Sequence, residues 1–350
     1  MERRVRIRLT APKEVPCEWD FAHLKGKDLS LPELEVDRWH GFVLVTENLD
    51  LPSFRDWVGP GVEHYDRWWL GECHTEPWIG RVIPANWKAV AEAFMEAWHS
   101  IVTRLQILDF TGDANTRYNL HGDYINRVIT SSAALGPHLK GKDQMYVMSS
   151  LSDFLGSKDA DARSRRTTAD VATALQGCDV DDPWLARKVL AKASRESYSA
   201  ANGYDYDDAT DSEMLDNFTY NVFPNWAPWG GFVPNIVYRW RPWGDTDHCL
   251  MEVRILMRTP KGQKAPKTAP MFLIPSDRPF TAASHLIGRA LANVFDQDMA
   301  NLPHVQSGMK ASANKLMELG HYQDSRVRHL HTTLDKYIDG SLPKSPLKQS

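Results

Sequence analysis

The stretch that most constrains this chain is Asn86–Arg104, NWKAVAEAFMEAWHSIVTR. Val90, Phe94, Ala97, Trp98 and Ile101 recur at helical spacing, which predicts a helix across the whole stretch. Asn86 suits its N-cap, because an asparagine side chain accepts a hydrogen bond from a free first-turn amide. On such a helix Glu92, Glu96 and His99 fall at i, i+4 and i+7 and share one face. An imidazole with a carboxylate about a turn away can be a metal ligand with its supporting partner. The same residues can equally form a solvated acidic face beside a satisfied histidine.

The surroundings of this helix read as α+β. Arg38–Val45 predicts a strand, followed by a turn at Glu47–Asp50. Residues 59–85, with Trp68, Trp69 and Trp78, read as strands that end at Pro84. After Arg104, Thr111–Asn115 is a loop by composition and Tyr118–Thr130 alternates as one strand. Glu213–Pro224, Ile236–Pro242 and Cys249–Met257 predict successive antiparallel strands with a hairpin at Asp245–Asp247. Ser284–Asn301 and a second helix ending near Tyr337 close the chain. The polar stretch 153–209 reads as helical, with acids at Asp179–Asp182 and with Arg163, Arg165 and Arg166 as a solvated face or part of a subunit interface, and this insert is expected to lid the pocket.

A length of 350 residues accommodates one large domain or two modest ones. The net charge of −4 gives no reason to expect nucleic acid or an anionic membrane as partner. No 18-residue apolar run is present, and the opening MERRVRIRL alternates like a strand, so neither a spanning helix nor a signal peptide is expected and the cytoplasm is the default. Thirteen tryptophans suit either a packed core or an aromatic-lined cavity. Cys17, Cys73, Cys178 and Cys249 stand far apart without a Cys-x-x-Cys and read as buried or free thiols.

The segment Asn86–Ser100 resembles the iron-site helix of the large (alpha) subunit of Rieske-type aromatic-ring-hydroxylating oxygenases. That family reads roughly Asn-Trp-Lys, then Glu-Asn-Phe, an acid, an aromatic-His pair and a second His five residues on. Val294–Gly308 is similar to its acid-x-Asp segment followed by Gln-x-Gly. The resemblance implies a helix-grip (START/Bet v 1-like) fold, in which a curved antiparallel sheet surrounds a long C-terminal helix. Residues 1–58 would be the end of a Rieske β-domain, 59–342 the catalytic domain and 343–350 a tail. It further implies His99 and Asp298 as ligands of a mononuclear Fe(II), and Asp296 as the acidic neighbour of Asp298. Glu96 would link the iron-site histidine to a neighbouring subunit's cluster, and Asn217 would face the substrate in a cavity walled by Leu215–Phe232. The activity implied is insertion of oxygen from O2 into an apolar, aromatic substrate, with a ferredoxin or reductase as electron donor and a trimeric homo- or hetero-oligomer as the working assembly.

Three departures all touch the iron centre. The Cys-x-His and Cys-x-x-His pairs of a [2Fe-2S] Rieske cluster are missing, so no cluster is expected on this chain. Ala93 replaces the family's asparagine, and Arg104 stands where the second histidine would be. A guanidinium is a permanent donor and does not ligate iron. Arg104 is instead expected to pair with Asp298 or Glu96, provided that the helix ends or distorts after Ser100. His121, on the following strand, is a conceivable replacement ligand. The rival function is a non-catalytic START-like small-molecule binder, or an accessory subunit of an intact oxygenase.

Overall fold

The computed structural model describes residues 5–7, 14–31, 33–105, 107–112, 114–156, 182–232 and 235–342. Cys178, the arginines at 163, 165 and 166, and the tail 343–350 lie outside these. A small antiparallel sheet is formed by β1 (Val5–Ile7), β2 (Leu34–Trp39) and β3 (Phe42–Thr46). Both central residues of the β2–β3 turn, His40 and Gly41, have positive φ (46° and 85°), the twist that a two-residue hairpin demands. Trp39, 1% exposed, anchors this sheet. Its ring meets Phe54, Tyr65 and Trp226 at centroid distances of 5.4, 5.3 and 5.9 Å. Phe54 opens α1 (Phe54–Val58) and Tyr65 lies in α2 (Gly61–Arg67), so the expected strands of 59–85 begin as helix.

The large sheet takes β4 (Cys73–Ile83), β5 (Arg117–His121), β6 (Ile125–Thr130), β7 (Asn217–Val222), β8 (Trp226–Gly230), β9 (Asn235–Trp243), β10 (Asp245–Arg258) and β11 (Phe272–Ile274). Their spatial order is β11-β4-β10-β9-β8-β7-β6-β5. All neighbours are antiparallel except β11, which runs parallel to β4, so the sheet is mixed rather than purely antiparallel. The single strand expected over Tyr118–Thr130 is two, β5 and β6, reversed at Gly122 with φ 61°. Apolar residues on both sides of a turn continue the alternation, which hides the reversal from periodicity.

Helices pack on both faces of the large sheet. They are α3 (Trp87–Glu92), α4 (Ser100–Thr103), α5 (Gln144–Gly156), α6 (Leu185–Asn202), α7 (Asp211–Leu215), α8 (Ser284–Ile287), α9 (Arg289–Ala311) and α10 (Ser325–Ile338). Phe295, Met299 and Leu302 of α9 join Tyr238, Trp240, Met251 and Val253 of β9 and β10 in one core cluster. The alternate strand residues, among them Val237 and Leu256, join Trp39, Tyr65 and Trp68 in a second cluster on the opposite face. Gly288, at φ 83° and ψ 149°, separates α8 from α9, so the late helix is interrupted at its start and longer at its end than periodicity suggested. Glu213 belongs to a capping box with Thr210 that starts α7, and the strand expected from Glu213 begins four residues later at Asn217. Of the expected helical insert, α6 packs Ala186, Val189 and Leu190 with Val147 and Met148 of α5, while 157–181 lie outside the described residues.

Candidate functional site

The long helix expected over Asn86–Arg104 is broken. Asn86 caps α3, its side chain accepting from the Lys88 amide at 3.0 Å, and its own amide donates to Gln306 Oε1 at 2.9 Å. The helix ends at Glu92, and the chain turns irregularly before α4. Its unwound part is held from a distance. Arg326, fully buried in α10, donates from Nη1 to the Phe94 and Met95 carbonyls at 3.3 and 3.1 Å and from Nε to Asn126 Oδ1 at 2.6 Å. The Ala97 amide donates to Tyr118 Oη at 3.2 Å. Burial pushes the Arg326 pKa down to about 9, against the pull of Tyr118 and Glu96.

This turn, the end of α4 and α9 together bring four charged groups to one place. His99 Nδ1 is bonded to Glu96 Oε1, and the His99 amide donates to Glu96 Oε2 at 3.1 Å. His99 Nε2 is 3.7 Å from Asp298 Oδ1, too long for a hydrogen bond, and is buried without a hydrogen-bond partner. α4 ends at Arg104, whose φ of −127° and ψ of 46° leave the helical range. The released side chain grips Asp298 by both edges, Nε to Oδ1 at 3.0 Å and Nη2 to Oδ2 at 2.6 Å. Asp298 is buried on the inner side of α9. Burial disfavours its charge, yet Arg104 and His99 hold its carboxyl below the usual range. For His99, burial opposes protonation, while the Asp298 and Glu96 carboxylates outweigh it and raise the pKa. With the imidazole protonated, two cations face two anions, and the cluster is neutral.

The other expected residues are placed as follows. Glu92 does not share the Glu96–His99 face, because the helix ends there, and it pairs with His331 Nε2 of α10 at 2.6 Å. Asp296 accepts from the Phe280 and Thr281 amides at 2.5 and 3.0 Å, a capping role rather than one beside His99. His121 has its ring 5.9 Å from that of His64, among Arg127 and His329. Asn217 opens β7 opposite Thr130, half-buried. The Leu215–Phe232 stretch lends Val222–Trp226 to a cleft of about 1010 Å³, and neither Asn217 nor His99 is part of that lining. Cys249 is buried, Cys73 half-buried and Cys17 exposed, all as free thiols. Among the described residues no group of three or more His, Cys, Asp and Glu side chains is placed to hold a metal ion. Sequence reading missed Arg326 and Tyr118, which carry no local motif and act across more than 20 residues of separation or from the far end of the chain.

Known proteins supply the frame for this cluster. The model of the ring hydroxylating alpha subunit (catalytic domain) family matches residues 54–340. A quaternary ammonium Rieske monooxygenase, studied for carnitine oxidation by gut microbiota and inter-subunit electron transfer, is similar in structure with a TM-score of 0.50 at 12% identity. The likeness covers 90% of this chain and 66% of that one, so this chain spans just under two thirds of its length. The same kind of monooxygenase in complex with L-carnitine gives a TM-score of 0.48 at 12% identity, covering 89% and 63%. Dicamba monooxygenase bound to dicamba gives 0.39 at 8% identity, covering 90% and 72%. At such identities the structural likeness speaks for the fold alone. No protein of curated function matches the chain in sequence. The match over residues 54–340 places this chain in the family of ring-hydroxylating alpha subunits, within their catalytic domain.

Proposed function

We propose that this chain is a non-oxygenating member of the family, an accessory subunit that works beside an iron- and cluster-bearing homologue. One observation carries the reading: Arg104 holds both oxygens of Asp298 where a second imidazole would be needed. Mononuclear non-haem iron of this type asks for two histidines and one carboxylate. Here His99 offers one imidazole, its Nε2 buried and unpartnered. Asp298 offers the carboxylate, but it is engaged by a donor that cannot ligate. The residues present do not fit that metal, and no oxygen chemistry is assigned to this chain. In this reading the sheet and α9 form the helix-grip core, residues 1–58 end a Rieske-type domain, 343–350 is a tail, and the assembly works in the cytoplasm. Trp98, Val102 and Leu105, exposed by 45, 75 and 67%, would supply apolar contact surface beside His99.

A second reading, oxygen insertion into an apolar aromatic substrate with electrons from a ferredoxin or reductase, draws support from the unpartnered His99 Nε2. It requires Arg104 to withdraw from Asp298. Co-expression with a homologous large subunit that carries both Cys/His pairs separates the two. The accessory reading expects a stable hetero-oligomer in which this chain adds no iron of its own. Hydroxylation by this chain purified alone, with stoichiometric iron and a reductase, would overturn it.

A further inference from the structure

The two faces of β9 carry different chemistry. Tyr238 faces the helices, near Arg104 and Asp298, so Arg239 beside it faces the other way. On that outer face three guanidiniums surround one carboxylate. Glu252, 1% exposed, accepts on Oε1 from Arg239 Nε at 3.0 Å and Nη2 at 2.6 Å and from Arg241 Nε at 2.8 Å. Its Oε2 accepts from Trp78 Nε1 at 3.1 Å. Arg254 lies two residues along the same strand, its guanidinium 4.0 Å over the Trp78 ring. Its Nη2 is 3.6 Å from Glu252 Oε2, beyond hydrogen-bond reach, and among the described residues this guanidinium donates no hydrogen bond. One carboxylate cannot neutralise three arginines, so positive charge is left over in a half-enclosed place.

Arg239 and Arg254 both line the cleft of about 1010 Å³ between the β2–β3 hairpin and the large sheet. Phe42, Leu44, Trp226 and Leu256 make its apolar wall. Of the acids in its lining, Glu35 pairs with Arg6 at 2.8 Å and Asp37 accepts from the Phe54 amide at 2.6 Å. The lining therefore joins the Arg254 guanidinium, which has no hydrogen-bond acceptor among the described residues, to aromatic surface.

We propose that this cleft binds a small molecule built of a flat apolar body and a single carboxylate, with the Arg254 guanidinium, laid on Trp78, receiving the carboxylate. An arginine whose face is covered by an indole keeps its edge N–H groups for a bidentate acceptor, and carboxylates match that fork. The adjacent Arg239 adds positive charge, and the aromatic wall takes the apolar body. The site is on the face of the sheet opposite the Arg104–Asp298 pair, so it stands or falls independently of the accessory reading.

The test is calorimetric titration of the full chain with 4-phenylbutyrate and with its neutral analogue 4-phenylbutanamide. The acid should bind at one saturable site, about tenfold or more tighter than the amide, and more weakly as salt rises. Arg254→Met keeps an apolar chain over Trp78 and should weaken the acid by about tenfold while leaving the amide unchanged. Leu44→Trp fills the cleft without touching the arginines and should weaken both compounds. Absence of saturable binding of the acid, equal binding of acid and amide, or undiminished binding of the acid in either variant would overturn the proposal.

Discussion

At the scale of single residues, the account turns on a buried ion pair that a partner's loss exposes. Arg104→Met leaves Asp298 charged, buried and short of its main partner, which costs about 3–5 kcal/mol of stability. Arg104→Met with Asp298→Leu removes both charges and should recover most of that loss, since an apolar pair can replace a buried ion pair. Urea unfolding of the two variants checks the difference. His331 gives a pH signature of its own. Its hydrogen bond to Glu92 raises its pKa, with burial opposing. That contribution is present in full below the unfolded value of about 6.5 and is lost as pH rises through the raised folded value. The urea midpoint difference between wild type and Glu92→Gln should therefore shrink from about pH 5.5 to about pH 8.5, and a constant difference would contradict the pairing. His99, Glu96, Asp298 and Arg104 were singled out by the resemblance of two short segments to the family, since their spacing alone also suits a solvated acidic face. Charge balance left Asp298 and Glu96 both open as partners of Arg104, and Asp298 is the one it grips. The roles of Glu92 and Asp296 were not legible, since each depends on where a helix stops and on a partner from another segment.

At the scale of elements, strand positions and the N-cap at Asn86 could be read, whereas the breaks could not. Helical spacing of apolar residues persists through the unwound stretch 93–99, because Arg326 and Tyr118 supply the backbone hydrogen bonds that the helix gives up. Arg326→Met should free those carbonyls and leave them buried, costing about 3 kcal/mol and loosening the Glu96–His99 contact. The His99 ring resonances should then move toward free-imidazole values in the variant relative to wild type. On the opposite face, β8 comes so close to α2 that a Cβ at Gly230 would lie 2.1 Å from Trp68 Cζ3. Trp68 cannot retreat freely, as its indole N–H donates to Glu213 Oε1 at 2.9 Å. Gly230→Ala should therefore cost about 1–3 kcal/mol by overpacking, read from thermal unfolding. A neutral result would mean that α2 is free to shift.

At the scale of the whole molecule, one sheet separates two sites of opposite character. The helix face carries a closed cluster at His99, Glu96, Asp298 and Arg104, and the outer face carries an open, positively charged cleft at Arg239 and Arg254. The α+β class was legible in the sequence from alternation followed by long helical periodicity. The parallel β11 was not, because a three-residue strand carries too little pattern to fix its direction. No helix among the described residues is long and apolar enough to cross a membrane. We propose that Arg104 occupies the place of a metal ligand in a scaffold that is otherwise in register. An anaerobic titration with Fe(II), followed by calorimetry, measures this directly in wild type and Arg104→His. The account predicts weak, substoichiometric iron in wild type and tight, one-to-one iron in the variant, where two imidazoles and Asp298 complete the set. Tight stoichiometric iron in wild type, or no gain in Arg104→His, would contradict it.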